Sequence, residues 1–263
     1  MNLRGGWALI RRLWMSYTSS RAFFWILALG HLVGPLIYMF AWITAAGQGL
    51  VSGYSRDEFI VYYLILIFIQ EFTYPVSNWT VGDFIRMGMF SSWLLRPLHP
   101  IYEAIGTDLA LKVVNLPFTG LVVILLGLIL KPEVSFQLQD VLLFIPALIL
   151  GYMLRFLLAY ALALMAFWSS RADALLRLND TLLFLFSGMV APIMLLPDGL
   201  RQIAMILPYR YMLGFPIQVL TGALSPTELL AGFTGQIVWL LVAFLFHQIV
   251  WKNGLRHYSA VGG

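Results

Sequence analysis

Long runs of apolar residues alternate with short polar segments along the chain. Because a helix rises about 1.5 Å per residue, about 20 apolar residues cross a hydrocarbon core roughly 30 Å thick. The pattern predicts six transmembrane helices, at residues 22–46, 59–80, 109–130, 141–168, 181–196 and 229–251. No long polar segment separates them, which predicts one membrane domain over residues 1–263.

Three segments outside these spans have patterns of their own. Residues 1–20 place aromatic and aliphatic side chains on one helical face and arginines away from it, which predicts an interfacial helix. Residues 81–103 predict a second amphipathic helix, broken by Pro97 and Pro100 and lying under the membrane on the cytoplasmic side. Residues 197–226 are apolar but rich in proline and glycine, which predicts an external re-entrant hairpin of two short helices.

Composition and charge place the protein in a membrane and orient it there. The chain is 61% hydrophobic and 11% charged, whereas soluble domains have about 25% charged residues. Of its 16 lysines and arginines, Arg155 lies in the middle of a span. Eleven fall on the side that holds both termini, counting Lys112 at the start of the third span, and four fall on the other side. Basic residues accumulate in the cytoplasm, so both termini are expected there. The net charge of +4 therefore indicates contact with membrane lipid and no nucleic-acid partner.

Several kinds of chemistry are excluded by residue types that are missing or wrongly spaced. The chain has no cysteine, so it has no disulfide or thiolate site. None of the three lysines follows a glycine, as a phosphate-binding P-loop requires, so any ATP-driven role needs a separate ATPase subunit. The four histidines lack the spacing of a metal site. We therefore predict no cofactor and no catalytic residue in this chain.

Ser187 and His247 raise a different hypothesis, because a serine and a histidine on adjacent membrane helices could form an intramembrane protease dyad. The rhomboid-type proteases, which this arrangement resembles, use a GxSG motif. Leu185 stands where the first glycine of that motif would be. The alternative, that Ser187 and Gly188 relax or pack the helix before Pro192, is favoured.

Two ionisable residues fall in the middle of predicted spans. Glu71 and Arg155 lie at the same predicted depth in two helices that run in the same direction. Because an isolated charge in the bilayer is costly, we predict that they form an ion pair. Such a pair could fix the packing of the second and fourth spans, or it could line a polar path, as in an ATP-independent carrier or channel.

The sequence also resembles a known family along essentially its whole length. The segment FSGMVAPIMLLPDGLRQIAMILPYRYMLGFPIQVLTG resembles the fifth helix and external re-entrant hairpin of ABC-2 type exporter permeases. The segments GDFIRMGMFSSWLLRPLHP and WKNGLRHYSAVGG are similar to the cytoplasmic loop and the terminal pattern of one bacterial branch.

This resemblance implies an all-α, six-span permease of the bacterial cytoplasmic (inner) membrane. It implies a homodimer or heterodimer of permease subunits on two copies of a cytoplasmic ABC ATPase, which carries the ATP and Mg²⁺. The expected activity is export of an amphiphilic, drug-like, lipid-linked or glycan substrate.

The resemblance also assigns roles to individual residues. The ATPase-coupling element comprises Asp83, Phe84, Ile85, Arg86, Gly88, Arg96 and Pro97. The gate or translocation path comprises Gly30, Gly34, Pro35, Ser187, Gly188 and Pro192. The external hairpin contains Pro197, Arg201, Pro208, Arg210 and Pro216.

Two of these assignments have alternatives. The GxxxG motif of Gly30 and Gly34 allows close helix contact either between subunits or within one subunit. Arg201 and Arg210 could meet anionic head groups or simply extend to the membrane interface.

Overall fold

The computed structural model describes residues 11, 15, 21–169 and 171–258. The predicted interfacial helix at residues 1–20 therefore lies outside the described residues, apart from Arg11 and Met15. Within the described ranges the regular structure is helical, with one isolated bridge between Val51 and Tyr54. The predicted all-α class is confirmed for this part of the chain.

The described chain forms eleven α-helices, which we number in chain order. They are α1 (Arg21–Ala46), α2 (Arg56–Thr73), α3 (Ser77–Arg86), α4 (Ser91–Leu94), α5 (Ile101–Leu130), α6 (Leu138–Ala163), α7 (Ala172–Phe186), α8 (Asp198–Ile206), α9 (Tyr209–Met212), α10 (Gly214–Leu220) and α11 (Pro226–His257). Short 3₁₀ turns follow α6 at Leu164–Phe167 and α7 at Ile193–Leu195.

Five helical stretches of the described chain are long and apolar enough to cross a membrane. They are Leu29–Ala46, Arg56–Arg86, Ile101–Leu130, Leu138–Phe167 and Pro226–His257. They correspond to the first four predicted spans and the sixth. The 15-residue α7 begins at residue 172 and ends at 186, whereas the fifth predicted span covers 181–196.

Local sequence signals set several helix ends. Ser55 and Glu58 form a capping box that begins α2, with the Ser55 amide 2.7 Å from the Glu58 carboxylate. Ser225 and Glu228 begin α11 in the same way. Pro75 lies in the break that separates α2 from α3 inside the predicted 59–80 span.

The α2 helix lies at the centre of the bundle and is buried on most of its faces. Phe59, Tyr63 and Leu66 are inaccessible to solvent. Helices α1, α5 and α6 pack against α2, while α11 and α10 pack against α6. This arrangement places the C-terminal ends of α3, α6 and α11 beside one another, where the candidate site lies.

Candidate functional site

A sharp turn joins α3 to α4 beside the predicted coupling residues. Of the seven, Gly88 lies in the turn, Arg96 and Pro97 follow α4, and the other four end α3: Asp83, Phe84, Ile85 and Arg86. Gly88 adopts a left-handed conformation there, with φ of 71°, which a residue without a side chain accepts at little cost. The Tyr258 hydroxyl donates to the Gly88 carbonyl at 2.8 Å and accepts from the Ser91 amide at 2.9 Å. The residue that follows α11 therefore holds this turn in place.

An ion-pair network connects the same turn to α7. The Arg86 guanidinium donates to Asp83 on its own helix and to the Asp173 carboxylate at 3.0 Å. Asp173 also accepts from Arg177 at 2.6 Å. These hydrogen bonds, that from Arg177 above all, lower the pKa of Asp173 below its ordinary value. Of the predicted coupling residues, Arg86 therefore joins the end of α3 to the start of α7, and Asp83 pairs with Arg86 on the same helix.

Aromatic side chains fill the space beneath the turn. Phe90 packs edge-on against Phe167, Trp251 and Tyr258, with ring centroids 5.7, 6.1 and 5.9 Å away. Ile85 belongs to the same buried cluster. Ile85 thus faces inward and supports the turn.

The outer surface of the turn is apolar and exposed. Met87, Met89, Leu95 and Leu98 expose 65, 43, 87 and 39% of their surface, and we call these four residues the platform. The sequence interpretation did not single them out, because an amphipathic pattern does not say which apolar side chains the bundle leaves uncovered. Arg96 and Pro97 lie beside the platform, where Arg96 pairs with Glu103 of α5 at 2.8 Å.

Glu71 and Arg155 are both buried, but they do not form the predicted ion pair. The Glu71 carboxylate lies 3.1 Å from His31 Nδ1. Arg155 donates to Gln70 Oε1 at 3.0 Å and to Thr73 Oγ1 at 2.8 Å. Neighbouring side chains of α2 point in different directions around the helix axis, so equal depth did not bring Glu71 onto the face that meets α6.

Two charged residues of α5 hold the break between α2 and α3. Asp108 accepts from the Ser77 amide at 2.8 Å, and Lys112 donates to the Tyr74 carbonyl at 2.9 Å. Both side chains are buried. They satisfy backbone groups that the break leaves without helical partners. The sequence interpretation noted Lys112 but gave it no role.

Comparison with protein families now identifies the chain. A family model described as ABC-2 family transporter protein matches residues 32–262. The chain belongs to this family. A search of curated proteins found no match. The family supports a multi-pass membrane permease of an ABC transporter and a partnership, in general, with an ABC ATPase.

The outer end of α7 in this ABC-2 protein is a second constrained region. The Tyr62 hydroxyl donates to the Gly188 carbonyl at 2.7 Å. The Tyr63 hydroxyl and the Trp42 indole both donate to the Val190 carbonyl, at 2.6 and 2.8 Å. Ser187, Gly188 and Pro192 thus lie just after α7, in a bend that α1 and α2 stabilise.

We expect Gly188→Ala to destabilise the ABC-2 protein by at least about 1–2 kcal/mol, the cost of a left-handed residue with a side chain. Gly188 has φ of 92°, and an added Cβ would lie 2.4 Å from the Tyr62 hydroxyl. The measurement is the fraction that stays monodisperse in detergent after heating. Gly199→Ala is the control, because a Cβ added there would have no neighbouring atom within 4 Å. Equal losses for the two variants would contradict the prediction.

The protease hypothesis is not supported by the geometry. The Ser187 hydroxyl and both ring nitrogens of His247 are buried without a hydrogen-bond partner, so the two residues are not hydrogen bonded to each other. Ser187 packs beside Gly214, whereas His247 lies against Tyr160.

In the segment between α7 and α11, Arg201 pairs with Asp198 and is half-exposed. Arg210 is 7% exposed and donates to Gln218 at 3.1 Å. The expectation that Arg210 extends to the interface is therefore wrong, because α9 faces the bundle. Pro197 precedes α8, Pro208 precedes α9, and Pro216 lies in the first turn of α10, where its missing amide is tolerated.

The GxxxG face of α1 is open within the described chain. A Cβ added at Gly30 or at Gly34 would have no neighbouring atom within 4 Å. The neighbouring Val33 and Ile37 are 53 and 60% exposed, while Pro35 is buried. Packing among the described residues therefore does not explain the motif.

Proposed function

We propose that the chain is the permease subunit of an ATP-driven ABC-2 exporter. In this proposal it lies in the bacterial inner membrane with six spans and cytoplasmic termini. A separate ABC ATPase supplies ATP and Mg²⁺, and the substrate is an amphiphilic, drug-like, lipid-linked or glycan molecule moved away from the cytoplasm or its leaflet.

The main support for this proposal is the exposed platform, which lies on a turn that hydrogen bonds and aromatic contacts hold in place. Exposed methionine and leucine side chains are typical of the centre of a protein interface, where they insert into a partner's pockets. Tyr258, Asp173 and the aromatic cluster hold the turn against three other parts of the chain. A partner that moves the platform therefore also moves α7 and α11.

In this proposal, movement of the platform reaches the membrane-spanning helices through the break between α2 and α3. The α3 helix carries the coupling residues at one end, and its other end meets the backbone that Asp108 and Lys112 hold. Arg155 joins the last turn of α2 to α6. A tilt of α3 would thus be transmitted to α2, α5 and α6 together, which is a way to couple ATP-driven motion to the spans.

The proposed second permease subunit fits the open face of α1. Glycines at positions i and i+4 let two helix backbones approach closely, and packing drives helix association in lipid. In this proposal the Gly30–Gly34 face and the bend after α7 border the translocation path, while α8, α9 and α10 form the external re-entrant hairpin.

The test of the function is affinity purification of the full chain from native cells, followed by identification of copurifying proteins and an ATP hydrolysis assay. We expect an ABC ATPase and vanadate-sensitive hydrolysis. A preparation free of ATPase, from cells that express one, would contradict the proposal. ATP-independent flux in liposomes would favour a carrier or channel instead.

The dimer prediction is tested separately by cysteine crosslinking, because the natural chain has no cysteine. We expect Ile37→Cys, on the open face of α1, to give an oxidant-dependent dimer in native membranes. Leu245→Cys on α11 is the matched control, since it is 59% exposed against 60% for Ile37. Equal crosslinking at both positions would indicate random collision and contradict an α1 interface.

A further inference from the structure

A cavity of about 460 Å³ opens between α5, α6 and α11. Its lining is mostly apolar and includes Met153, Leu157, Leu240 and Phe244. The cavity is therefore suited to hydrocarbon chains.

One end of the cavity carries polar groups that lack partners. His247 lines it, is 3% exposed, and has no hydrogen-bond partner at either ring nitrogen. The hydroxyl of Tyr152, also in the lining, is buried and unpartnered. Buried polar groups are nearly always hydrogen bonded. We therefore expect this end of the cavity to bind a ligand with hydrogen-bonding atoms.

Polarity increases along α11 towards its C-terminal end. Leu240 and Phe244 are followed by His247 and Gln248 in the lining, and Lys252 lies one turn beyond Gln248. Lys252 is exposed and, among the described residues, has no carboxylate within ion-pair distance. Helical rise places it about 7.5 Å further along the axis than His247.

His99 closes this end of the cavity. Its ring lies 4.4 Å from that of Trp251, and burial lowers the pKa of His99. The two imidazoles and the Tyr152 phenol are possible N–H and O–H donors to a ligand.

We propose that this cavity binds one anionic phospholipid, with its acyl chains on the apolar wall, its ester carbonyls accepting from His247 and Tyr152, and its phosphate at Lys252. The order of hydrocarbon, ester and phosphate in such a lipid follows the order of apolar, neutral polar and cationic residues along α11. The leaflet is the one beside the end of α11, which is cytoplasmic in the proposed orientation. The site requires no ATPase and is independent of the transport proposal.

The test is native mass spectrometry of the purified full chain in detergent, titrated with dioleoyl phosphatidylglycerol and with dioleoyl phosphatidylcholine. Wild type should bind one phosphatidylglycerol more tightly than phosphatidylcholine. Lys252→Gln should weaken phosphatidylglycerol binding about fivefold, as expected for one lysine near a lipid phosphate. Lys131→Gln, beyond the opposite end of α5, is the matched control and should change nothing.

The ester contact is tested by a change in the lipid. Ether-linked phosphatidylglycerol lacks the carbonyls that accept from His247 and Tyr152, and it should bind wild type at least about fivefold more weakly, since losing one hydrogen bond already has that effect. In His247→Leu, which keeps Tyr152, the difference between the ester and ether lipids should be smaller than in wild type. The proposal would be overturned by equal binding of the two anionic lipids to wild type, or by equal effects of the two lysine variants. Because the readout is lipid affinity, failure here leaves the ATPase test unaffected.

Discussion

Aspartate at both Met87 and Leu95 should reduce copurification of the ATPase at least tenfold. These two platform side chains are 65 and 87% exposed, so the substitutions disturb little within the chain itself. Burying each apolar side chain in a partner contributes about 1.5–3 kcal/mol, and a carboxylate there would be desolvated as well. A loss of 1.4 kcal/mol already weakens binding about tenfold. The measurement is the ratio of ATPase to permease after affinity purification.

The control for this experiment is Leu50→Asp. Leu50 is 68% exposed, and it lies in the loop between α1 and α2, on the other side of the membrane in the proposed topology. It should leave the ratio unchanged. Normal ATPase recovery with the double variant, in a monodisperse preparation, would show that the partner binds elsewhere.

Arg155→Met should cost about 3 kcal/mol of stability. Arg155 is 3% exposed, donates two hydrogen bonds to α2 and lies 5.3 Å from the centre of the Tyr74 ring. Hydrogen bonds from a charged donor contribute about 1.5–3 kcal/mol each, and methionine would leave the buried Gln70 oxygen without its donor. We expect the apparent melting temperature in detergent to fall by roughly 5–10 °C.

Arg155→Lys is the matched variant, because it keeps the charge but has a shorter side chain, which does not reach the position of Nη1, the atom that donates to both Gln70 and Thr73. It should lose about half as much stability as Arg155→Met. Equal stability of wild type and the methionine variant would show that Arg155 does not stabilise the packing of α2 against α6. It would favour the alternative, that Arg155 lines a polar path.

Hydropathy was sufficient to predict the helices that correspond to the first four spans and the sixth, because each contains a long apolar run. The helix nearest the fifth predicted span does not share its bounds. The α7 helix begins at residue 172, and its first half contains Asp173, Arg177 and Asp180, which a search for charge-free stretches rejects. The break at Pro75 was also missed, since the predicted span 59–80 has a single charged residue, Glu71, and was interpreted as one continuous helix.

The candidate site was predictable in position but not in detail. The loop carrying Asp83 and Arg86 was recognised from its pattern, whereas their partner Asp173 lies 87 residues from Arg86 along the chain. Pairing of Glu71 with Arg155 was inferred from depth alone. Direction around the helix axis decides such contacts, and it depends on how each helix is rotated in the bundle.

The hydrogen bonds of the Tyr258 hydroxyl can form only late in the synthesis of the protein. This residue follows the last helix, yet it fastens a turn near residue 88 that the ribosome completes 170 residues earlier. Until Tyr258 has left the ribosome and α11 has inserted, the turn lacks two of its hydrogen bonds and part of its aromatic support. In the proposed assembly, a nascent chain would therefore remain unable to recruit its ATPase until the membrane domain is finished.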